Sequence, residues 1–140
     1  MSDHTLFPAK IVTPEGVLFD GEVRQIQVMS DAGGLGILAR RSPVVADLKM
    51  GRTAIELEDG TWRTWATDEG FAQASNSTAT VVVEEAVEAS KIDKAHAAEL
   101  ISEGRSRLDT AKTAGDASDQ RAASREIAWG EHLTGFEAQS

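Results

Sequence analysis

The chain has 140 residues, no cysteine, a formal net charge of −9, and 41% apolar residues. That length fits one domain, or a small domain with an appendage. The missing thiol excludes disulfides, thiolate metal sites and cysteine nucleophiles, and the acidity excludes a nucleic-acid surface, which needs basic groups to displace counterions.

The opening residues MSDHTLFPAK carry no basic segment leading into an apolar one, so no signal peptide is expected. No apolar run approaches the ~20 residues that span a bilayer, and the acidity does not favour anionic lipid. A soluble cytoplasmic chain is the expectation.

Residues 1–88 read as strands. The stretch VTPEGVLFDGEVRQIQV, Val12 to Val28, alternates apolar and polar residues and breaks at Gly16 and Gly21, which predicts a hairpin with turns at Pro14–Gly16 and Asp20-Gly21. Ile26 and Val28 fall on one face, Gln25 and Gln27 on the other. Ser30–Gly36 is rich in glycine but has no Lys-Ser/Thr ending and leads into a strand-like run, so it reads as a tight turn needing positive φ, not a phosphate loop. Arg40-Arg41-Ser42-Pro43 is a basic loop in an acidic region. Further on, Ile55 and Leu57 alternate with Glu56 and Glu58, Asp59-Gly60 supplies a turn, and Trp62 opens the return strand. Trp62 and Trp65, three apart, point to opposite faces, one into the core and one toward an apolar patch. Short strands at this spacing predict an antiparallel β-sandwich or flattened barrel.

After Glu88 the period changes. Ala97, Ile101, Gly104, Leu108 and Ala111 are spaced four-three-four-three, a narrow helical seam. Ser90 and Asp93 are candidate N-caps; Gly115 suits the C-terminal end, and Asp116 or Ser118 the next cap. A second helix is expected from about Asp119, with Ala123, Ile127 and Gly130 on one face and Trp129, Leu133 and Phe136 beside it. The two helices predict an antiparallel hairpin whose small residues let the backbones approach. Large apolar residues are few, and Gly104, Gly130 and Gly135 each weaken a helix by up to about 1 kcal/mol against alanine. The hairpin is therefore expected to need a docking partner to hold one shape. The expected division is residues 1–88 and 89–140. These carry 7 basic and 14 acidic side chains, and 7 and 9, so the excess negative charge lies on the strand half.

Chemistry is sparse. His4, His96 and His132 lie far apart, one near the N-terminal end and two on different helices, so no metal site is expected. Asp68-Glu69 is a candidate carboxylate pair for acid–base work, but it also reads simply as polar residues before a Gly-Phe turn. No catalytic residue is assigned.

Taken in order, VTPEGVLFDGEV (Val12–Val23), GLGIL (Gly34–Leu38), SPVVADLKMG (Ser42–Gly51), DEGFAQASNSTATVV (Asp68–Val82) and EEAVEASKID (Glu84–Asp93), with a helical hairpin behind them, resemble the epsilon subunits of bacterial F-type ATP synthases. The resemblance implies a sandwich of about ten strands followed by two helices. It also implies a non-catalytic rotor subunit of the proton-translocating enzyme, peripheral at the cytoplasmic face of the cell membrane and held to the membrane only through the complex. Its partners would be the gamma subunit, the c-ring and the catalytic alpha and beta subunits, with the helices inhibiting ATP hydrolysis.

Carried onto this sequence, the ring contact would use Asp31, Gly33, Gly34, Arg40, Arg41 and Pro43, and the gamma contact Val44, Leu48, Trp62 and Trp65. The extended hairpin would present Arg105, Arg107, Arg121 and Arg125 to acidic groups. Two departures stand out. Arg41 occupies the family's usual histidine position, and Gly33-Gly34 stands where Gly-Glu is common. In some relatives an Ile/Leu-Asp-x-x-Arg-Ala pattern binds ATP. Here it reads Ile92-Asp93-Lys94-Ala95-His96-Ala97, and His96 lacks the permanent charge and bidentate fork of arginine. No cofactor is expected, and Ile92, Asp93, His96 and Ala97 are the one weak candidate site for regulatory ATP. The competing reading is a stand-alone sandwich that binds a small ligand, with the helices as a dimerisation device.

Overall fold

The structure, a computed structural model, describes residues 5–40, 42–75 and 78–136. Nine strands come first: β1 (Phe7–Thr13), β2 (Gly16–Ser30), β3 (Gly33–Leu38), β4 (Val44–Leu48), β5 (Gly51–Leu57), β6 (Trp62–Thr67), β7 (Gly70–Ala74), β8 (Ala79–Val83) and β9 (Ala86–Glu88). A 3-10 turn at Ala89–Lys91 leads to α1 (Lys94–Ala114) and α2 (Ala117–Gly135). Two compact units result, divided between Ala89 and Ser90.

The sandwich is a single ladder folded over on itself. β4, β7, β8, β1 and the first half of β2 pair in one layer; β3, the second half of β2, β5, β6 and β9 pair in the other. All of these pairings are antiparallel except β1 with β8. Gly21 does not end a strand, contrary to the sequence reading. β2 runs through it for 15 residues, and a shift of register between Val23 and Gln25 carries the strand from one layer to the other. The expected count of about ten becomes nine because β2 serves both layers. A Cβ at Gly21 would lie 3.2 Å from the Phe19 ring, so the glycine makes room for an aromatic side chain.

Period-two alternation builds the core. Ile11, Val23, Ile26, Ile37, Ile55, Val81 and Val83 are all less than 2% exposed and come from both layers. Burying each contributes about 1.5–3 kcal/mol. The turns share one device. At Thr13–Gly16 and Ser30–Gly33 a hydroxyl accepts the N–H two residues on, Glu15 at 3.2 Å and Ala32 at 3.2 Å. In each, the closing glycine takes a φ open to few other residues, 136° at Gly16 and 123° at Gly33.

The helical unit follows its caps. Asp93 accepts N–H bonds from Ala95 (3.0 Å) and His96 (3.2 Å), Gly115 closes α1 in the left-handed region at φ 71°, and Asp116 accepts from Asp119 at 3.0 Å. α2 thus begins at Ala117, two residues before the sequence expectation. Ala97, Gly104 and Ala111 are buried at heptad spacing against Ala123 and Gly130. The two central glycines, expected to weaken the helices, are the points of closest approach. A Cβ at Gly104 would meet Ile127 Cγ1 at 2.7 Å, and one at Gly130 would meet Ile101 Cγ1 at 2.8 Å and the Ala97 carbonyl at 3.0 Å. Lys94 ties the open end, donating to the Leu133 (3.1 Å), Thr134 and Phe136 (3.3 Å) carbonyls at the end of α2. That is where a cation satisfies orphan carbonyls and opposes the helix dipole.

Candidate interaction surfaces

The residues expected at the c-ring do not gather at one end of the sandwich. Asp31, Gly33 and Gly34 form the turn that opens β3, whereas Arg40 and Pro43 follow its other end; Arg41 lies outside the described residues. The four strand residues 35–38, at about 3.3 Å each, lie between the two groups. What joins them is β3 itself, which among the described residues is an edge strand paired with β2 alone. Gly34 and Gly36 lie along it, and a Cβ at either would meet nothing within 4 Å. An open groove of ≈ 340 Å³ lies over them, lined also by Gln27, Met29 and Arg52. The β3–β4 loop holds Arg40 at φ 63°, an unusual left-handed conformation for a side chain of that size.

The expected gamma-contact residues divide by burial. Val44 and Trp62 are half-buried, but Trp65 (2% exposed) and Leu48 (4%) belong to the core. Trp65 is fixed there by the edge of Phe19, ring centroids 6.2 Å apart, and by the Arg63 guanidinium 4.9 Å from its ring centre. Arg63 in turn forks onto Glu88 at 2.9 and 3.0 Å, which ties β6 to β9. Its hydrogen bonds to Glu88 raise the Arg63 pKa further, so the guanidinium stays charged across the ordinary pH range. These two core side chains therefore offer no surface to a partner. The exposed large apolar side chains of the sandwich are Val17, Leu18, Leu38, Val45 and Phe71. Sequence reasoning singled out none of Val17, Leu18, Leu38 and Phe71 for a contact, because it tracked the inward-facing half of each alternation; their signal was apolar residues at the outward positions.

On the helices, Asp93 serves as a cap and Ala97 lies in the seam, so two of the four expected nucleotide-site residues have structural work to do. His96 is exposed, its Nδ1 4.0 Å from Glu99. Arg105, Arg121 and Arg125 are exposed, whereas Arg107 bridges the helices to Asp119 at 2.6 Å and Glu126 at 2.8 Å. The hydrogen bond it donates to Asp119 is the main reason the Arg107 pKa rises. Asp68 and Glu69 do not form an acid–base pair: the Asp68 carboxylate is buried and accepts the Glu69 N–H at 2.7 Å, while the Glu69 side chain is exposed. Among the described residues no group of three His, Cys, Asp or Glu could hold a metal ion, and no helix is long and apolar enough to cross a membrane. His4 lies outside the described residues.

These features define a β-sandwich followed by a closed helical hairpin, with large apolar side chains exposed on its strands. The profile of the family described as "ATP synthase, Delta/Epsilon chain, beta-sandwich domain" matches residues 6–89. An ATP synthase epsilon chain of Gloeothece citriformis is 34% identical over 130 residues, 92% of this chain and 91% of the relative. One of Persephonella marina is 30% identical over 108 residues, 77% of this chain and 79% of the relative. A chain in the Euglena gracilis mitochondrial ATP synthase assembly of OSCP, F1 and c-ring shares the fold, with TM-score 0.70 and 19% identity over 94% of this chain and 82% of that one. The chain belongs to the ATP synthase delta/epsilon chain family and is one subunit of a complex.

Proposed function

We propose that the chain is a non-catalytic rotor subunit that joins the gamma subunit to the membrane c-ring, peripheral at the cytoplasmic face, and restrains ATP hydrolysis through its helices. The observation that carries this is that the likeness to an epsilon chain runs through both units, covering 92% of the chain. The ring contact runs along the edge of β3, from Asp31–Gly34 to Arg40, Arg41 and Pro43; an edge strand with two outward glycines and an open groove supports close approach by a partner backbone. Val44 and Trp62 remain from the expected gamma contact. Exposed Arg105, Arg121 and Arg125 would meet acidic groups on alpha or beta, and Arg107 also bridges the two helices.

The test is co-purification of the tagged chain from native membranes with gamma and c subunits, together with a deletion of everything after Glu88. Assembly should survive the deletion, and ATP hydrolysis by the assembled complex should rise. Recovery of the chain only as a free oligomer would sink the rotor reading; unchanged hydrolysis at all ATP concentrations would sink the inhibitory role alone.

A further inference from the structure

The chain leaves the sandwich through its shortest strand. β9 has three residues, Ala86–Glu88, all half-buried, and among the described residues it pairs with β6 alone, at the end of the strand order. The division between the two units falls one residue later, between Ala89 and Ser90. So short a ladder at a sheet edge, with no fully buried side chain, opens locally at little cost. The next tie toward the interior is the Asp68 N–H, which donates to the Glu85 carbonyl at 2.9 Å.

The register shows what else holds this strand. Glu88 stands opposite Trp65, and Arg63 lies two residues back along β6. The three side chains therefore project to one side, with Arg63 and Glu88 as diagonal neighbours. The Arg63 fork closes that diagonal with bonds of 2.9 and 3.0 Å. The same guanidinium lies 4.9 Å from the centre of the Trp65 ring and 5.5 Å from that of Phe19. Rings from β6 and β2 thus orient the cation, and Glu88 brings β9 to it. With side chains only 37% and 18% exposed, a two-pronged pair of this kind holds more firmly than an ordinary surface ion pair.

We propose that the Arg63–Glu88 fork is a pin that sets the length of the tether carrying the helical unit. With the pin closed, the tether is residues 89–93, from the end of β9 to the start of α1. With the pin open, β9 peels from β6 and the tether runs from residue 86, which adds up to about 10 Å of reach. The two lengths are separate states, and a group that competes for either charge shifts the chain from one to the other. The inference does not depend on the rotor reading. It makes the reach of the hairpin a property of a side chain within the sandwich, 25 positions before its carboxylate partner, rather than of the linker sequence.

The experiment uses the full chain with Arg63→Gln, Glu88→Gln and both together. In each variant amide exchange should quicken at residues 86–88 by roughly tenfold or more, while β1, β2 and both helices keep their wild-type rates. The double variant should exchange no faster there than either single one, because the two side chains act as a unit. The chain has no cysteine, so spin labels can be placed at exposed positions through Glu58→Cys on the sandwich and Ser124→Cys on α2. Arg63→Gln should extend the longest distances between them by up to about 10 Å. Unchanged exchange at residues 86–88 would overturn the pin, since the ladder alone would then hold β9. A rise shared by every strand would overturn it too, by making Arg63 a support of the whole sandwich. Additive effects of the two substitutions would show that the side chains act separately, and a β9 that opens with no change in the distances would overturn the tether.

Discussion

The sandwich and the hairpin are held together by opposite means. In the sandwich, large aliphatic side chains from two layers fill a shared interior, and the backbones stand apart. In the hairpin, the buried seam is chiefly Ala97, Gly104, Ala111, Ala123 and Gly130, with Trp129 and Leu133 toward one end. There an isoleucine side chain on each helix packs against a glycine of the other. The first arrangement fails when volume is removed and the second when volume is added, so one chain should respond with opposite signs to the same kind of change.

The largest effect belongs to the sandwich. Ile55 is fully buried between Ile26 and Arg63 in register. Ile55→Ala should cost about 2–5 kcal/mol, read as an earlier loss of the near-ultraviolet signal from Trp65 on heating. A loss no larger than that of a surface substitution would mean that the core is not the source of stability.

Next comes the hairpin. Gly104→Ala and Gly130→Ala each gain up to about 1 kcal/mol of helix propensity but force a Cβ to within 3 Å of an isoleucine on the facing helix. Overpacking costs about 1–3 kcal/mol, so both should destabilise the hairpin and speed hydrogen exchange in α1 and α2. Gly135→Ala meets nothing within 4 Å and should be neutral or stabilising. If all three alanines stabilise, the helices are not packed at their glycines and the contrast between the two units dissolves.

A smaller effect sharpens the account of the open end. Lys94→Met removes the ammonium from the last carbonyls of α2 while keeping much of the aliphatic stem. The loss should be about 0.3–1 kcal/mol, seen as faster amide exchange confined to residues 131–135. Exchange that also quickened at Gly104 would show that the lysine holds the whole seam.

Much of this contrast was legible in the sequence. Asp93, Gly115 and Asp116 announced the helix ends because a cap depends on the chemistry of one residue and its local backbone. Asp59-Gly60 did the same for a turn. The four-three-four-three seam gave the helix face, but its glycines carried an ambiguous sign: propensity alone counts them as defects, and their role appears only when the facing helix is present. Gly21 misled for a different reason: an Asp-Gly pair that reads as a turn here lies inside a strand, where the Phe19 ring, two residues back on the same strand, packs over the glycine. The interaction surfaces were less legible still. Whether Trp62 or Trp65 is buried depends on which layer covers the strand, and exposed Phe71 and Val17 are brought near one another through Val82 and Val12, residues up to 70 positions apart, by pairings that no local pattern encodes.

The smallest expected effect lies in the turn between β5 and β6. Thr61 donates its N–H to the Asp59 carboxylate at 3.0 Å and its hydroxyl at 2.6 Å, while Gly60 supplies the positive φ of 89°. The hydroxyl bond first, and the backbone bond second, hold the Asp59 pKa below its ordinary value. A carboxylate whose pKa is lower in the folded chain adds stability above its unfolded pKa, and that stability is lost as pH falls through the folded value. Asp59→Asn keeps an acceptor at the same place but has no charge to lose. The melting temperature of the wild type should therefore exceed that of Asp59→Asn by a small, constant margin at neutral pH, and the margin should close below about pH 4. Taking the difference between the two proteins cancels the titration of the other carboxylates, provided these are unaltered by the substitution. Thr61→Val should shrink the same margin at neutral pH by removing the hydroxyl donor while the backbone donor stays. A margin that persisted into strong acid would place the stabilisation in the shape of the turn rather than in its charge, leaving the sandwich as indifferent to Asp59 ionisation as its apolar core is.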